Sequence, residues 1–249
     1  MESEWVMGRQ AVREALKAGR NISKLLVAEG ADQGRGGIGP LIHKARKRGI
    51  PVQQVPRKKL DSLAEGDNHQ GVIAQTEPYR YVTLDDLFQR AERRGTPPFF
   101  LLLDGIEDPH NLGSILRTAD AAGVHGVVIP KRRAVGLTHT VAKTSAGAIE
   151  YVPVARVTNL NRVADELKKR GVWLVGSDAA ARDSYDEVDY SGPTALVIGN
   201  EGKGISRLLK EKCDFLVRLP MKGTVSSLNA SVAGALLMYE VVRGRKHDR

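Results

Sequence analysis

The feature that most constrains the fold of this chain is a regular alternation of short apolar segments and helical segments from Phe99 to the C-terminus. Short apolar segments separated by helices build a mostly parallel sheet that is covered by helices on both faces. The sequence therefore predicts an α/β protein whose ligands bind beyond the carboxyl ends of the strands. The predicted strands are Phe99–Leu103, Gly126–Ile129, Val152–Val157, Val172–Gly176, Ala195–Ile198 and Phe215–Leu219, and the predicted helices are Leu112–Ala122, Leu160–Arg170, Ile205–Lys210 and Ala230–Arg243.

The N-terminal part has the same kind of alternation on a smaller scale. Residues 77–98 contain a short helix-like piece, Leu84–Arg94, end in the helix breaker Gly95-Thr96-Pro97-Pro98 and are interpreted as a linker. We therefore expect a small α/β domain over residues 1–76 and a larger domain over residues 99–249. The predicted strands of the small domain are Lys24–Val27, Val52–Val55 and Val72–Gln75, and its predicted helices are Gly8–Ala18, Leu41–Arg48 and Lys58–Leu63.

The charge of the chain favours a polyanionic partner. The 249 residues carry a net charge of +9, and residues 1–75 hold thirteen Lys and Arg against eight Asp and Glu. Neutralising phosphates with such cations releases counterions and favours binding to nucleic acid. The basic groups Lys44–Arg48 and Arg57–Lys59 are either solvated surface or RNA contacts, and the glycine-rich loop Gly34–Gly39 is either a plain connector or an RNA contact.

The cysteine and histidine content and the absence of long apolar runs exclude several classes of protein. The single cysteine, Cys213, excludes an internal disulfide and a cysteine-based zinc cluster, and the six histidines have no metal-ligand spacing. No segment approaches the ~20 unbroken apolar residues of a membrane span, and Met1–Gln10 lacks the apolar run of a signal peptide. We therefore expect a cytoplasmic protein that binds no metal and no membrane.

The first loop that can carry chemistry follows the strand Phe99–Leu103 and leads into a helix. The helix buries Leu112, Ile115 and Leu116 on one face, which leaves Arg117 on another face, free to point at a ligand. The alternative is an ordinary surface pair between Arg117 and Asp120. Asn111 is by default a capping residue of this helix.

The second loop, Gly199-Asn200-Glu201-Gly202-Lys203-Gly204, lies between an apolar strand and a helix. Its glycines allow backbone amides to approach a ligand closely. It matches neither the dinucleotide motif G-x-G-x-x-G nor the P-loop, because Gly204 stands where the P-loop requires Ser or Thr. A cradle for nucleotide phosphates is therefore a poor fit to this loop.

The third loop, Leu219–Asn229, leads into a helix that is apolar nearly all round. A helix without a polar face is buried on two sides, against its own sheet and against a second subunit, which favours a homodimer. Within the loop, Ser227 and Asn229 are by default capping residues.

Together the three loops resemble the three motifs of the TrmH (SpoU) branch of the SPOUT RNA methyltransferases. The N-terminal segment, which opens with Val6-Met7-Gly8-Arg9-Gln10, resembles the L30e-like RNA-binding domain of RlmB-like members. The matching segments follow in the family's order, namely Asp108-Pro109-His110-Asn111-Leu112-Gly113 with Arg117, then Gly199-Asn200-Glu201-Gly202-Lys203-Gly204, then Ser226-Ser227-Leu228-Asn229-Ala230-Ser231-Val232-Ala233.

The resemblance implies a fold and a cofactor that periodicity does not reveal. The catalytic domain of the family is a SPOUT α/β-knot, in which the chain forms a deep trefoil knot, although chains in general avoid threading. The family forms homodimers and binds S-adenosylmethionine (AdoMet) in a bent form. By motif position, the residues expected to bind the cofactor are Gly199, Leu219, Met221 and Leu228, with Ser145 close by.

The resemblance also implies a reaction and roles for polar residues. The expected reaction is methylation of a ribose 2′-hydroxyl, and the hydroxyl needs help to lose its proton. Arg117 is expected to stabilise the developing alkoxide as a permanent cation, since an arginine is a poor base. The residues expected to position the ribose or shape the site are Asn111, Glu201, Ser227 and Asn229, with Glu201 orienting Arg117.

A further expectation concerns which RNA is methylated. The N-terminal domain favours a guanosine of 23S ribosomal RNA, because the tRNA-modifying relatives generally lack that domain. The alternatives are a tRNA enzyme, an enzyme that acts on an adenosine of ribosomal RNA, and a non-catalytic RNA-binding protein that has lost its cofactor.

Overall fold

The computed structural model describes residues 4–31 and 38–246 and divides the chain into two compact units. The first unit consists of Met1–Arg80 and Leu137–Tyr151, and the second of Tyr81–Gly136 and Val152–Arg249. Residues 34–37 of the glycine-rich loop, a candidate for RNA contact, lie outside the described residues. The domain boundaries expected from the sequence stay a prediction.

The described residues form strands and helices in regular alternation. In chain order they are β1 (Glu4–Met7), α1 (Arg9–Lys17), β2 (Ile22–Ala28), α2 (Gly39–Lys47), β3 (Val52–Val55), α3 (Arg57–Ala64), β4 (Val72–Thr76), α4 (Leu84–Arg94), β5 (Phe99–Asp104), α5 (Pro109–Ala121), β6 (Gly126–Pro130), α6 (His139–Thr144), a 3₁₀ turn (Ala148–Glu150), β7 (Val154–Val157), α7 (Leu160–Lys169), β8 (Trp173–Ser177), β9 (Asp183–Ser184), β10 (Thr194–Gly199), α8 (Arg207–Lys212), β11 (Phe215–Arg218) and α9 (Ala230–Lys246).

The first unit is built on a four-stranded sheet with the strand order β1-β4-β2-β3. Strand β4 pairs antiparallel with β1 and β2, whereas β2 and β3 are parallel. Along β2, Leu25 and Val27 belong to one apolar core and Leu26 and Ala28 to another. Because successive side chains of a strand point to opposite faces, this sheet is covered on both sides.

Residues Leu137–Tyr151 are held in the first unit by polar contacts. The carboxylate of Asp67 accepts hydrogen bonds from Lys143 at 2.8 Å and from His139 at 2.7 Å, and the bond from Lys143 lowers the pKa of Asp67 most. Arg20, whose side chain is 9% exposed, pairs with Glu150 at 3.0 Å. These pairs join residues far apart in sequence, so they fix where the segment packs.

The second unit is built on a seven-stranded sheet with the order β7-β6-β5-β10-β8-β11-β9. All of its recorded strand pairs are parallel. The central strands β5 and β10 run in register from Phe99 beside Thr194 to Asp104 beside Gly199, and almost all of their residues are buried. The carboxyl ends of these two strands therefore lie side by side. We call the border of the sheet that is formed by strand ends of this kind, and not by an outer strand, the carboxyl edge of the sheet.

Local signals position the helices of the second unit. Thr83 and Asp86 form a capping box at the start of α4, and Asn159 caps α7 by accepting from two backbone amides. Helix α4 falls within the segment interpreted as a linker, yet Leu87 and Ala91 on it are buried. Its apolar face packs in the core with Phe100.

The predicted α/β class with a mostly parallel sheet is confirmed. Four short elements were not predicted, namely β1, α6, the 3₁₀ turn and β9. Each of them lacks the length over which apolar periodicity can be recognised. The trefoil knot stays a prediction, since strand order and pairing do not specify how a chain is threaded.

Gly147 offers a test of the packing of the Leu137–Tyr151 segment. Its φ is +91°, and a Cβ there would lie 2.4 Å from Cβ of Glu14 on α1. Gly147→Ala should lower the free energy of unfolding of the first unit by about 2–4 kcal/mol, through left-handed backbone strain and overpacking. Urea unfolding measures the loss.

The matched control is Gly19→Ala. Gly19 has a similar φ of +78°, but a Cβ added there would have no neighbour within 4 Å, so only the backbone cost applies. Equal destabilisation by the two substitutions would contradict the contact between Gly147 and α1.

Candidate cofactor and RNA methylation site

A cavity of about 370 Å³ lies at the carboxyl edge of the seven-stranded sheet. It is formed by the loops that follow β8, β10 and β11, where ligands of parallel sheets usually bind. Its volume falls in the range of about 300–1,000 Å³ that is typical of small-molecule sites. The lining residues predicted from the sequence are Gly199, Glu201, Leu219, Met221, Ser227 and Leu228.

The loop after β10 is closed tightly on itself. Asn200 and Gly204 exchange backbone hydrogen bonds of 3.2 and 2.8 Å, so the loop returns to its starting point. A Cβ on Gly199 would lie 2.2 Å from the backbone carbon of Gly204, so this position accepts only glycine. The side-chain amide of Asn200 donates to the carbonyl of Gly105 at 3.0 Å, which ties the loop to the one after β5.

The carboxylate of Glu201 connects all three predicted motifs. Its Oε1 accepts hydrogen bonds from the side-chain amide of Asn111 at 3.0 Å, from the backbone amide of Ala230 at 3.2 Å and from the side-chain amide of Asn229. The amide of Asn229 also donates to Oδ1 of Asn111 at 2.9 Å. Two segments of the chain thus converge on a carboxylate oxygen of the third.

Asn229 has a second role at the start of α9. Its Oδ1 accepts from the backbone amides of Ser231 at 2.9 Å and Val232 at 3.3 Å, so it caps the helix as the default interpretation predicted. Asn111 is not the cap of α5, because that role belongs to Asp108, which accepts from the amide of His110. The side chain of Asn111 is therefore available to the site.

Arg117 lies on the exposed face of α5. The expected hydrogen bond from Arg117 to Glu201 is not formed, and the recorded donors to Glu201 are Asn111, Asn229 and Ala230. The alternative pair with Asp120 is not formed either. Across residues 4–31 and 38–246, Arg117 makes no recorded hydrogen bond or ion pair, so its guanidinium is free to meet a ligand.

Ser145 is the one predicted site residue that is assigned to the first unit rather than the second. It belongs to the first unit, where it is buried at the end of α6. Its hydroxyl donates to the carbonyl of Ala142 at 3.1 Å and accepts from the amide of Ile149 at 3.4 Å. These bonds stabilise the turn after α6, and a role of Ser145 in cofactor binding stays a prediction.

One pair of charged residues at the cavity was missed in the sequence. Asp178, just after β8, pairs with Lys210 on α8 at 2.5 Å, and both line the cavity. The hydrogen bond from Lys210 holds the pKa of the Asp178 carboxyl below its usual value. The rule that ligands bind beyond strand ends could have indicated Asp178, since the end of β8 was predicted closely.

The residues that line the cavity suit a sulfonium cofactor with an adenine ring. Leu219, Met221 and Leu228 provide apolar walls, and the closed loop after β10 provides backbone groups that can approach closely. In the part of the chain that is described, no group of three or more His, Cys, Asp or Glu side chains could hold a metal ion. No described helix is long and apolar enough to cross a membrane.

Substitution of Gly199 tests whether the closed loop shapes the cavity. Gly199→Ala should weaken AdoMet binding at least tenfold in calorimetry, because the new methyl group would overlap the backbone of Gly204. Gly202→Ala in the same loop is the control, since its nearest neighbour would be 3.7 Å away. Unchanged affinity in Gly199→Ala would contradict the assignment of this cavity.

Two family models match the chain. Residues 98–239 match the SpoU rRNA Methylase family, and residues 5–82 match the family described as RNA 2′-O ribose methyltransferase substrate binding. A curated relative from Bacillus subtilis (strain 168), a putative TrmH family tRNA/rRNA methyltransferase, is 59% identical over 98% of this chain and 97% of its own length.

Solved structures show the same similarity. The SpoU methyltransferase AviRb from Streptomyces viridochromogenes, solved in complex with AdoMet, has a TM-score of 0.80 and 28% identity over 98% of this chain and 91% of its own. An AdoMet-bound rRNA methyltransferase from Sinorhizobium meliloti has a TM-score of 0.77 and 28% identity over 97% and 87%. This chain therefore belongs to the SpoU rRNA methylase family and is an AdoMet-dependent RNA 2′-O-methyltransferase.

Proposed function

We propose that this methyltransferase modifies the 2′-hydroxyl of a guanosine in 23S ribosomal RNA. The observation that carries the proposal is the convergence of Asn111, Glu201 and Asn229 beside the cofactor cavity. The choice of ribosomal RNA is supported by the match of residues 5–82 to a substrate-binding family and by the full-length similarity to the S. meliloti rRNA methyltransferase.

The residues of the site have different roles in methyl transfer. When bound, AdoMet supplies an electrophilic methyl group that needs only an in-line approach of the nucleophile. The side-chain amides of Asn111 and Asn229, held in place by Glu201, orient the ribose. Ser227, exposed on the wall of the cavity, helps to shape the site.

Arg117 is the residue that we assign to charge stabilisation. A ribose hydroxyl is a weak nucleophile until its proton begins to leave, and a fixed cation stabilises the negative charge that develops on the oxygen. An arginine remains protonated in proteins, so Arg117 acts as this cation and holds a neighbouring phosphate rather than serving as a base. Its exposed position without a recorded partner among the described residues supports this role.

The functional form is proposed to be a homodimer. Helix α9 exposes Val232, Leu236 and Tyr239, at 47, 45 and 52% of their surface, although all three are large and hydrophobic. Their spacing of four and three residues places them on one face of the helix. A second copy of the chain would cover this stripe, as an isologous interface does. We also propose that the enzyme acts in the cytoplasm.

Transfer of tritiated methyl groups from AdoMet to RNA transcribed in vitro tests the proposed substrate. The wild-type protein should label the 2′-oxygen of a guanosine in 23S rRNA and leave total tRNA unlabelled. Labelling of tRNA alone, or of an adenosine, would contradict the proposed target, and the absence of labelling on any RNA would contradict catalysis itself.

Arg117→Ala serves as the matched variant in the same assay. Loss of one group that stabilises transition-state charge should lower kcat about 10²–10³-fold. AdoMet affinity in calorimetry should stay unchanged, since Arg117 does not line the cavity. Full activity of Arg117→Ala would overturn the role assigned to this arginine.

A further inference from the structure

A cluster of four cations lies at the carboxyl edge of the second unit, at the ends of strands β6 and β7. Strand β6 ends at Pro130, and the loop that follows begins with Lys131, Arg132 and Arg133. Arg156, near the end of the neighbouring strand β7, is the fourth. All four side chains are exposed, and we call this cluster the basic edge.

The loop that carries the basic edge is fixed at both ends. The amide of Lys131 donates to the carbonyl of Val157 at 2.8 Å, and Arg156 donates to the carbonyl of Lys131 at 3.3 Å. At the other end, the amide of Val135 donates to the carbonyl of Ile106 at 3.0 Å. Ile106 lies in the loop that leads into α5, so the basic edge is attached to the segment that carries the catalytic motif.

The cations of the basic edge are not neutralised by carboxylates. No salt bridge of Lys131, Arg132, Arg133 or Arg156 is recorded among the described residues. Some exposed cations of the same unit do have carboxylate partners, as Lys168 has Asp214 and Arg170 has Asp85. Four like charges that gather without a counterion repel one another, and a bound anion would relieve that repulsion.

The backbone of the loop is also strained. Arg133 adopts a left-handed conformation with φ at +57°, which is uncommon for a residue other than glycine, Asn or Asp. Strained residues collect at functional sites, where the surrounding structure holds a side chain in a required place. The strain is independent of the charge and points to the same segment.

The position of the cluster indicates what it binds. Strand β6 lies next to β5, and β5 lies next to β10, so the basic edge and the cofactor cavity share one edge of the sheet. An RNA strand that brings a ribose to the cavity can extend its phosphates along this edge. Guanidinium groups pair with phosphate oxygens in a bidentate manner, whatever the base sequence.

We propose that the basic edge binds backbone phosphates of the RNA substrate next to the target ribose. The inference rests on the proposed function in one respect, namely that the RNA used as the binding probe is 23S ribosomal RNA. The basic edge contributes affinity for the RNA and fixes the position of the strand, whereas the residues around Glu201 take part in methyl transfer.

The test compares two double variants with equal loss of charge. Arg132→Ala with Arg133→Ala removes two cations from the basic edge, and alanine adds no new backbone strain at Arg133 because both residues carry a Cβ. Arg93→Ala with Lys169→Ala removes two exposed cations at the C-terminal ends of α4 and α7, which lie at the opposite edge of the sheet. Binding to unmodified 23S rRNA transcript is measured by filter binding at several salt concentrations.

The basic-edge variant should bind the transcript about tenfold more weakly than wild type near 0.15 M salt. The slope of log affinity against log salt should fall by about 1.5, since each lost phosphate contact removes about 0.7–0.9. In methyl transfer, KM for RNA should rise while kcat at saturating RNA and AdoMet affinity stay near wild type. The opposite-edge variant should keep both the affinity and the salt slope.

Equal losses in the two double variants, or an unchanged salt slope in the basic-edge variant, would overturn the proposal. Binding is measured without turnover, so the comparison does not depend on catalysis. A wild-type protein that binds the transcript but transfers no methyl group would contradict the proposed function, and the comparison of the variants would still decide the role of the basic edge.

Discussion

The hydrogen bonds of the Glu201 carboxylate are the interaction on which the site depends. Asn111 and Asn229 are 118 positions apart in the sequence, and both donate to this one oxygen. An ionised acceptor makes such bonds shorter and stronger than neutral ones. The loop after β10, the first turn of α5 and the start of α9 are therefore held in one arrangement before any ligand arrives. Electrostatic stabilisation of a transition state requires polar groups that are preorganised in this way.

The sheet determines where this carboxylate can lie. Strands β5 and β10 are paired along their whole length, so the loops that leave them at Asp104 and Gly199 begin side by side. The closure of the loop between Asn200 and Gly204 then turns Glu201 toward α5 and α9. The same register brings the loop after β6 to this edge, where it adds cations. The loops that leave these neighbouring strands can thus contact the cofactor, the ribose and the phosphates of the RNA.

The sequence predicted what depends on local pattern and on motifs. The apolar strands β5, β6 and β10 were found to within one or two residues, because continuous burial leaves continuous apolar runs. The polar residues at Asn111, Glu201 and Asn229 were found because the motifs fix their positions. Local pattern gave no indication that Leu137–Tyr151 would join the first unit, since its ion pairs, such as Arg20 with Glu150, connect distant residues. The expected hydrogen bond from Arg117 to Glu201 was wrong, since the motifs fix where the residues stand in the sequence and not which donors reach the carboxylate.

A double-mutant cycle between Glu201 and Asn111 tests the central claim most directly. The kcat/KM of RNA methylation would be measured for Glu201→Ala, Asn111→Ala and the double variant, with AdoMet and RNA affinities measured alongside. If the two side chains act as one unit, the double variant should be little worse than either single variant, with a coupling energy of about 1–3 kcal/mol. Losses that simply add would show that Glu201 and Asn111 act independently and would contradict the account.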